Sequence, residues 1–324
     1  MKTVVTGGAG FLGAQLVARL LDAPDRVGDD RASRRVVVAD RATLALSPDE
    51  RCTFIEIDLG EVAAPLGALV QGADAVVHLA SVVSADAEID PERAWQLNVE
   101  ATRRLLGACS RSAPGCRFLA ASSVAVFAHG ETPAGEDTKE VPASTYGMTK
   151  VVLELLVNEA TRRGQVDGRI ARLPTVIVRP GRPNLAASSF ASGVFREPLS
   201  GIDMGLPVAP EVAMVVIGQR SAVAGLEALL AVPADQLGAD RGVNLPGLEV
   251  TVADMVAACQ RVGRARGLSV GAIFAAPDPA VAAIVASWPS RWDDRKARRL
   301  GLPADRSLDE VVVNYLDDFG TRRG

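Results

Sequence analysis

Short apolar runs recur along the first half of the chain and alternate with longer segments of helical periodicity. The runs have the length and the Val-, Ile- and Leu-rich content of buried strands, and they cover 2–7, 34–40, 53–59, 74–80, 116–124 and 168–178. Between them, apolar residues recur at three- and four-residue intervals in 11–22, 91–110 and 146–164. Strands that alternate with helices of this length predict an α/β fold with a doubly wound parallel sheet and right-handed crossovers.

The alternation ends after residue 178. Residues 179–201 are rich in Pro, Gly and Ser and carry no long periodic pattern, which predicts an ordered functional loop region. A closing helix is predicted near the end, with Ser307 as N-cap and Glu310 at its third position. We predict two parts. The first domain comprises 1–178, with 212–247 returning to it. A smaller, discontinuous C-terminal substrate lobe comprises 179–211 and 248–324.

Composition excludes several classes of protein. Hydrophobic residues make up 48 % of the 324 residues and charged residues 23 %, which is too apolar for a disordered chain. A net charge of −4 without a long basic run argues against a nucleic-acid partner. Four cysteines without C-x-x-C spacing and only two histidines argue against a metal site. Free thiols, no signal peptide and no apolar run of ~20 residues predict a cytoplasmic protein without a membrane partner.

Three glycines stand at three-residue intervals between the first predicted strand and the first predicted helix. In this turn Gly7 can make the tight bend, Gly10 lets a pyrophosphate approach the backbone, and Gly13 lets helix pack on strand. A glycine triplet alone is a weak signal, but its place behind a Val-rich strand predicts a Rossmann-type dinucleotide site. Phe11 and Leu12 open the helix and belong to the same candidate site.

Carboxylates end the next two predicted strands. Asp40 can accept hydrogen bonds from the adenosine ribose hydroxyls and would repel a 2′-phosphate, so NAD is favoured over NADP. Arg41 could pair with a phosphate, but it also suits a position beside the adenine. Asp58 could be just a strand-ending turn residue, but with Leu59 it fits better as a cap on the adenine amino group.

The segment "STYGMTK" at 144–150 carries one of two tyrosines and one of four lysines. The chance that one of the two tyrosines has a lysine four residues on is roughly 0.02–0.03. Tyr146 and Lys150 at this spacing share one face of a helix. A phenol is a poor base at neutral pH, and a neighbouring ammonium lowers its pKa toward the working range. The pair therefore predicts an acid/base centre.

Six short motifs together resemble the extended short-chain dehydrogenase/reductase family. They are "TGGAGFLG" at 6–13, "DL" at 58–59, "HLA" at 78–80, "NVEAT" at 98–102, "SSVAVF" at 122–127 and "YGMTK" at 146–150. The resemblance implies that Leu79 and Ala80 line the cofactor crevice and that Asn98 supports the active-site helix. His78 is then expected to be a structural residue at a strand end.

The same resemblance completes the candidate catalytic set of Ser123, Tyr146 and Lys150. Tyr146 would remove the proton of a secondary alcohol as hydride leaves the same carbon for NAD, and Lys150 would also hold the nicotinamide ribose. Ser123 would orient the reacting oxygen, and its neighbour Ser122 would touch cofactor or substrate.

Three stretches, 172–201, 242–256 and 286–302, resemble the D-erythronate dehydrogenases within that family. This implies NAD-dependent oxidation of a four-carbon sugar acid at C2, D-erythronate to 2-dehydro-D-erythronate. An arginine suits the carboxylate, since its guanidinium donates bidentately. The candidate ligands are Arg179, Arg182 and Arg196 for the carboxylate and Asn184, Ser188 and Ser189 for the sugar hydroxyls. Each of these residues could instead serve only to order a Pro-rich loop. Thr175, next to Pro174, is the candidate contact of the nicotinamide carboxamide.

Two other functions remain open at this point. A nucleotide-sugar epimerase or dehydratase would use the same scaffold with tightly bound NAD, but it needs a larger pocket with groups for the base and the diphosphate. A non-enzymatic, redox-sensing binding protein would have little use for the complete catalytic set. The resemblance also implies a possible homodimer through a four-helix contact.

Overall fold

The computed structural model describes residues 1–22, 34–42, 49–128, 130, 133–181 and 188–320. The strands are β1 (Lys2–Thr6), β2 (Arg35–Asp40), β3 (Cys52–Glu56), β4 (Ala75–His78), β5 (Arg117–Ser123), β6 (Asp167–Leu173), β7 (Thr175–Ile177), β8 (Met204–Leu206), β9 (Ala213–Gly218), β10 (Gly242–Asn244), β11 (Leu248–Thr251) and β12 (Ile273–Ala275). The helices are α1 (Phe11–Asp22), α2 (Leu66–Val70), α3 (Ser84–Ile89), α4 (Pro91–Ala94), α5 (Ala101–Ser112), α6 (Thr145–Arg162), α7 (Ser189–Leu199), α8 (Gln219–Ala231), α9 (Val252–Ala265), α10 (Pro279–Ala286), α11 (Arg295–Arg299) and α12 (Leu308–Phe319). A π-helical segment, Trp95–Glu100, joins α4 to α5, and 3-10 turns cover Val124–Val126 and Ala234–Gln236.

Within the described residues the main sheet has seven strands in the order β10-β6-β5-β4-β1-β2-β3. β1 pairs in parallel with β2 and β4, which places Val4 between Val37 and Val76. β2/β3 and β4/β5 are also parallel pairs. The strand order reverses beside β1, and in such sheets the ligand crevice lies at the carboxyl ends of the strands at that point. The predicted Rossmann-type α/β fold is confirmed.

The chain divides into two compact units: 1–122, 144–172 and 223–243 form the first, and 123–143, 173–222 and 244–324 form the second. Three of the five divisions fall at the carboxyl ends of β5, β6 and β10, and the other two fall just before α6 and within α8. Each unit has its own apolar core. That of the first includes Val4, Leu105 and Phe118, and that of the second includes Phe195 and Met255.

The predicted strand 168–178 is wrong as a single element. β6 ends at Leu173 in the main sheet, whereas β7 belongs to a three-stranded sheet in the order β11-β9-β7. Pro174 separates them, because a proline has no N–H to donate to a sheet. The apolar run is therefore shared between two sheets.

Two further segments differ from the prediction. β9 pairs with β7 and β11 and not with the main sheet, so 212–222 lies in the second compact unit, as does 123–143. Residues 179–201 were predicted as a loop region, but they contain α7, which buries Phe190, Val194 and Phe195 despite the Pro and Gly content of the segment. The closing helix is confirmed as α12, where Ser307 Oγ accepts a hydrogen bond from Glu310 N at 3.2 Å.

Candidate active site

The glycine turn lies between β1 and α1, and its backbone leaves no room for side chains. Gly7 has a φ of +71°, and a Cβ there would lie 2.5 Å from Ala80 N. A Cβ on Gly13 would lie 2.2 Å from Gly7 O, and one on Gly10 would lie 3.1 Å from the same oxygen. At these three positions the turn presents backbone without side chains, next to the N-terminus of α1, where a phosphate charge is favourable.

A cavity of about 200 Å³ opens beside this turn. It is lined by predicted cofactor residues from the ends of the neighbouring strands: Gly7, Gly10, Asp40, Arg41, Asp58, Leu59, Leu79 and Ala80, together with Ala39, Ile57, Ser81 and Leu97. A second cavity, of about 580 Å³, shares Arg41, Asp58 and Leu97 with the first. Glycine backbone, helix N-terminus and carboxylate-ended strands suit the phosphates and ribose of a dinucleotide, so these residues fit NAD.

Asp40 also shapes the turn itself. Its Oδ2 accepts a hydrogen bond from Ala9 N at 2.9 Å, and its Oδ1 accepts one from Ala42 N at 3.1 Å. Each carboxylate oxygen retains a further lone pair for a ribose hydroxyl. Asp58 accepts from Gly60 N at 2.8 Å and lies 3.8 Å from the guanidinium of the exposed Arg41.

Tyr146 and Lys150 both lie on α6, where Ser144 is the N-cap and accepts a hydrogen bond from Gly147 N at 3.0 Å. Lys150 Nζ lies 5.5 Å from the centroid of the Tyr146 ring and donates to Ala121 O at 2.9 Å. The lysine is buried, and this burial lowers its pKa from 10.5 to about 8, while the charge of Glu154 acts in the opposite direction.

Asn98 anchors α6 through a hydrogen bond to Thr149. It lies fully buried in the π-helical segment, donates to Thr149 Oγ1 at 3.0 Å and to Val82 O at 3.1 Å, and accepts from Val82 N at 2.8 Å and Ser81 Oγ at 3.0 Å. Thr149 in turn donates to Tyr146 O at 2.8 Å. π-helical turns are frequent at functional sites, and this one brings the Asn98 amide to the turn that carries the tyrosine.

His78 is buried beneath this centre. Its Nε2 lies 2.9 Å from Thr102 Oγ1, and that hydroxyl donates its one hydrogen to Asn98 O. Nε2 must therefore carry a hydrogen, and Nδ1 accepts from Thr6 Oγ1 at 2.7 Å. Burial, with the charge of Lys150, lowers the pKa of His78 from 6.5 to about 3, so it is neutral at ordinary pH.

A buried ion pair lies next to the centre and was missed by the sequence analysis. Arg172 Nε shares its one hydrogen between the two carboxylate oxygens of Glu154, at 3.0 and 3.1 Å, and Nη2 donates to Oε2 at 2.6 Å. Glu154 also accepts a short hydrogen bond from Ser122 Oγ. The Ser122 hydroxyl is buried and donates to Glu154, and the predicted contact of Ser122 with cofactor or substrate stays a prediction. The four-residue spacing from Lys150 to Glu154 was the available signal.

The other predicted residues lie in the second unit. Ser123 ends β5, and its hydroxyl accepts from Ala125 N at 3.2 Å as the cap of a 3-10 turn. Pro174 and Thr175 stand where β7 begins, and Ser188 and Ser189 stand at the start of α7. Arg182 and Asn184 lie outside the described residues.

The two remaining arginine candidates differ. Arg196 is buried, donates to Glu197 Oε1 at 3.1 and 2.5 Å and to Arg179 O at 3.0 Å, and so holds the backbone. Arg179 is exposed, its N–H donates to Ser192 Oγ at 3.0 Å, and its guanidinium has no partner within the described part of the chain. The structure leaves Arg179 available to a ligand and commits Arg196 to the protein.

Neither a metal cluster nor a membrane helix is found in the parts of the chain that the structure describes. No group of three His, Cys, Asp or Glu side chains there is arranged to hold an ion. No helix there is both long enough and apolar enough to cross a bilayer. The four cysteines form no disulfide.

Residues 3–208 match the model of the NAD dependent epimerase/dehydratase family, which is well over half of the chain. The chain belongs to this family. A D-erythronate dehydrogenase from Cupriavidus necator is 41 % identical over 324 residues, covering 99 % of both chains. A D-erythronate dehydrogenase from Haemophilus influenzae is 38 % identical over 320 residues, covering 98 % of this chain and 99 % of the relative.

A solved structure shows the same fold. The nucleoside-diphosphate-sugar epimerase from Agrobacterium tumefaciens superposes with a TM-score of 0.89 at 29 % identity, over 98 % of this chain and 94 % of that one. The predicted family membership, the oxidoreductase class and the NAD cofactor are therefore confirmed, and NAD is the cofactor that the glycine turn and its cavity fit.

Proposed function

We propose that this protein oxidises the C2 hydroxyl of D-erythronate to 2-dehydro-D-erythronate with NAD, in the catabolism of sugar acids. The substrate assignment rests on the 41 % and 38 % identity to two D-erythronate dehydrogenases over nearly the whole of each chain. The buried Lys150 beside Tyr146 supplies the acid/base chemistry that such an oxidation needs.

In the proposed mechanism Tyr146 Oη, as phenolate, takes the proton of the C2 hydroxyl. The Lys150 ammonium stabilises the phenolate and holds the nicotinamide ribose. Ser123 donates a hydrogen bond to the same C2 oxygen and orients it. When bound, NAD supplies the acceptor for the hydride that leaves C2. The substrate thus loses a hydride to NAD and a proton to Tyr146, and C2 becomes a carbonyl carbon.

The cofactor contacts follow from the cavity. Gly7, Gly10 and Gly13, with Phe11 and Leu12, are proposed to hold the pyrophosphate at the N-terminus of α1. The remaining proposed cofactor residues bind the two nucleosides: Asp40 the adenosine ribose, Arg41, Asp58 and Leu59 the adenine, and Leu79, Ala80, Pro174 and Thr175 the nicotinamide side, with Asn98 supporting α6. Selectivity for NAD over NADP is proposed to rest on Asp40.

The two compact units are proposed to divide the work, the first binding NAD and the second supplying the substrate contacts. Arg179 is the proposed carboxylate ligand, because its guanidinium is exposed and without a partner in the described part of the chain. Arg196 supports it by binding the Arg179 carbonyl. Ser188 and Ser189 are proposed to face the sugar hydroxyls.

A nucleotide-sugar epimerase is the second candidate, favoured by the TM-score of 0.89 to a nucleoside-diphosphate-sugar epimerase. The two reactions differ in the fate of the cofactor. A dehydrogenase releases NADH in each turnover, whereas an epimerase returns the hydride to its substrate.

We further propose a cytoplasmic homodimer. Four free cysteines suit a reducing compartment. Large apolar side chains lie exposed on the helices of the first unit: Ile89, Trp95, Met148 and Leu155. Met148 and Leu155 are two turns apart on α6 and share a face, which a second copy would cover. Sedimentation velocity tests the oligomeric state.

The function is tested by mixing the protein with NAD and, separately, D-erythronate, L-threonate and a UDP-sugar, and following NADH at about 340 nm. Continuing NADH release with D-erythronate supports the dehydrogenase, and we expect Tyr146→Phe to lower kcat by at least about 10³-fold. Tyr315→Phe, which alters the other tyrosine of the chain, is the matched control and should leave kcat unchanged. An isomerised UDP-sugar without NADH release would replace the proposal with the epimerase.

A further inference from the structure

The carboxylate of Glu154 lies buried one helical turn beyond Lys150. It is 4 % exposed, and its neighbours Arg172 and Ser122 are 1 % and 2 % exposed. A buried ion pair is seldom the most stable solution, because apolar residues of similar volume often serve as well or better. Its presence beside the proposed base calls for a reason other than stability.

Geometry supplies the first reason. Lys150 Nζ donates to Ala121 O at 2.9 Å, and Glu154 accepts from the hydroxyl of the next residue, Ser122. One face of α6 thus binds two consecutive residues at the end of β5. The residue after them is Ser123, the proposed hydrogen-bond donor to the reacting oxygen. The register of that strand end against α6 is therefore set by the Lys150–Glu154 pair.

Charge supplies the second reason. Four ionisable groups surround the Lys150 ammonium or interact with it: Tyr146, His78, Glu154 and, behind Glu154, Arg172. His78 is neutral, and Arg172 forms an ion pair with the Glu154 carboxylate. Burial lowers the pKa of Lys150, and Glu154 is the neighbour that raises it. Without that negative charge the ammonium would lose its proton more readily.

We infer that Glu154 is a positioning residue of the oxidation, which keeps Lys150 charged and holds the end of β5 in register, with Arg172 fixing its carboxylate. The inference rests on the proposed function for its meaning in catalysis. Nothing in it requires Glu154 to touch substrate or cofactor. A purely structural Glu154 would leave the titration of Lys150 unchanged, which separates the two explanations.

The test uses the composition of the chain, which has only four lysines, Lys2, Lys139, Lys150 and Lys296. Full-length protein labelled with ¹³C at lysine Cε gives few signals, and Lys150→Met assigns the one of interest. Its titration midpoint is then read in Glu154→Gln and in the double variant Glu154→Gln/Arg172→Met. The double variant removes both charges of the pair, so it leaves no uncompensated buried arginine if the single variant fails to fold. Glu159→Gln, an exposed residue of the same helix, is the matched control.

We expect the Lys150 midpoint to fall by about one pH unit in Glu154→Gln and to stay in place in Glu159→Gln. In the double variant we expect a smaller fall, because the positive charge of Arg172 is lost as well. The alkaline limb of the pH profile of kcat should move by the same amount, with the KM for D-erythronate little changed. A midpoint that is unmoved in folded Glu154→Gln, or in the folded double variant if the single variant does not fold, overturns the inference. If the midpoint moves but the unaltered protein releases no NADH from D-erythronate, the effect of Glu154 on Lys150 stands and the substrate assignment fails.

Discussion

The neutral His78 makes the stability of the protein depend on pH in a way that one substitution can isolate. Its imidazole bridges Thr6 and Thr102 in the buried network below α6, and its pKa is lowered to about 3 in the fold from an ordinary value of 6.5. Between these two values the unfolded chain binds a proton that the folded chain does not. Stability from this residue is therefore complete above about pH 6.5 and declines as the pH falls.

The magnitude follows from the two pKa values. Each pH unit over which the unfolded chain binds one proton more than the folded chain lowers the free energy of unfolding by about 1.4 kcal/mol. Lowering the pH from about 6.5 to about 5 should therefore cost about 2 kcal/mol through His78. His78→Gln keeps an amide donor toward Thr102 but cannot take up a proton. The variant should be less stable than the unaltered protein at about pH 7.5, and that difference should shrink by about 2 kcal/mol at about pH 5.

Urea unfolding followed by circular dichroism at both pH values gives the four free energies of unfolding. The test compares the stability difference between the variant and the unaltered protein at one pH with the same difference at the other. The loss of packing caused by the substitution is the same at both pH values and therefore cancels. A difference that stays constant between the two pH values would refute the argument, because it would mean that the imidazole titrates alike in the folded and unfolded chain.

Two further substitutions test the site. Gly13→Ala places a Cβ 2.2 Å from Gly7 O and should weaken NAD binding at least about 100-fold in calorimetry. Gly67→Ala is the control, because the nearest atom to its Cβ would be Ser112 Oγ at 3.6 Å, and it should bind NAD normally. Arg179→Met should raise the KM for D-erythronate by about 30-fold or more and leave the Kd of NAD unchanged; an unaltered KM would exclude Arg179 as the carboxylate ligand.

The sequence predicted those features that depend on neighbours in the chain. The glycine turn was visible because Gly7, Gly10 and Gly13 follow a Val-rich strand, and the Tyr146–Lys150 pair because four residues make one helical turn. α1 begins and ends as its periodicity predicts, at Phe11 and Asp22. The turn between β1 and α1 and the shared helix face of Tyr146 and Lys150 were thus predictable from the sequence, and their roles in binding and catalysis stay predictions.

Features that depend on distant parts of the chain were not visible. Arg172 stands in a strand and Glu154 in a helix, and only their burial against each other shows that they form a pair. Arg196 and Arg179 are equivalent in the sequence, yet packing buries one and exposes the other. The residues 168–178 were predicted as one strand, and the sheet that each half joins depends on pairing partners far away in the sequence.

The interleaving of the two units has a consequence for synthesis on the ribosome. β10 lies at the edge of the main sheet next to β6, but it is made only after the segment 173–222 of the second unit. Until residue 243 has emerged, β6 presents an open edge to any other strand, and such edges invite wrong pairing. No single cut yields either unit alone, so no continuous piece of the gene encodes the whole of the first unit.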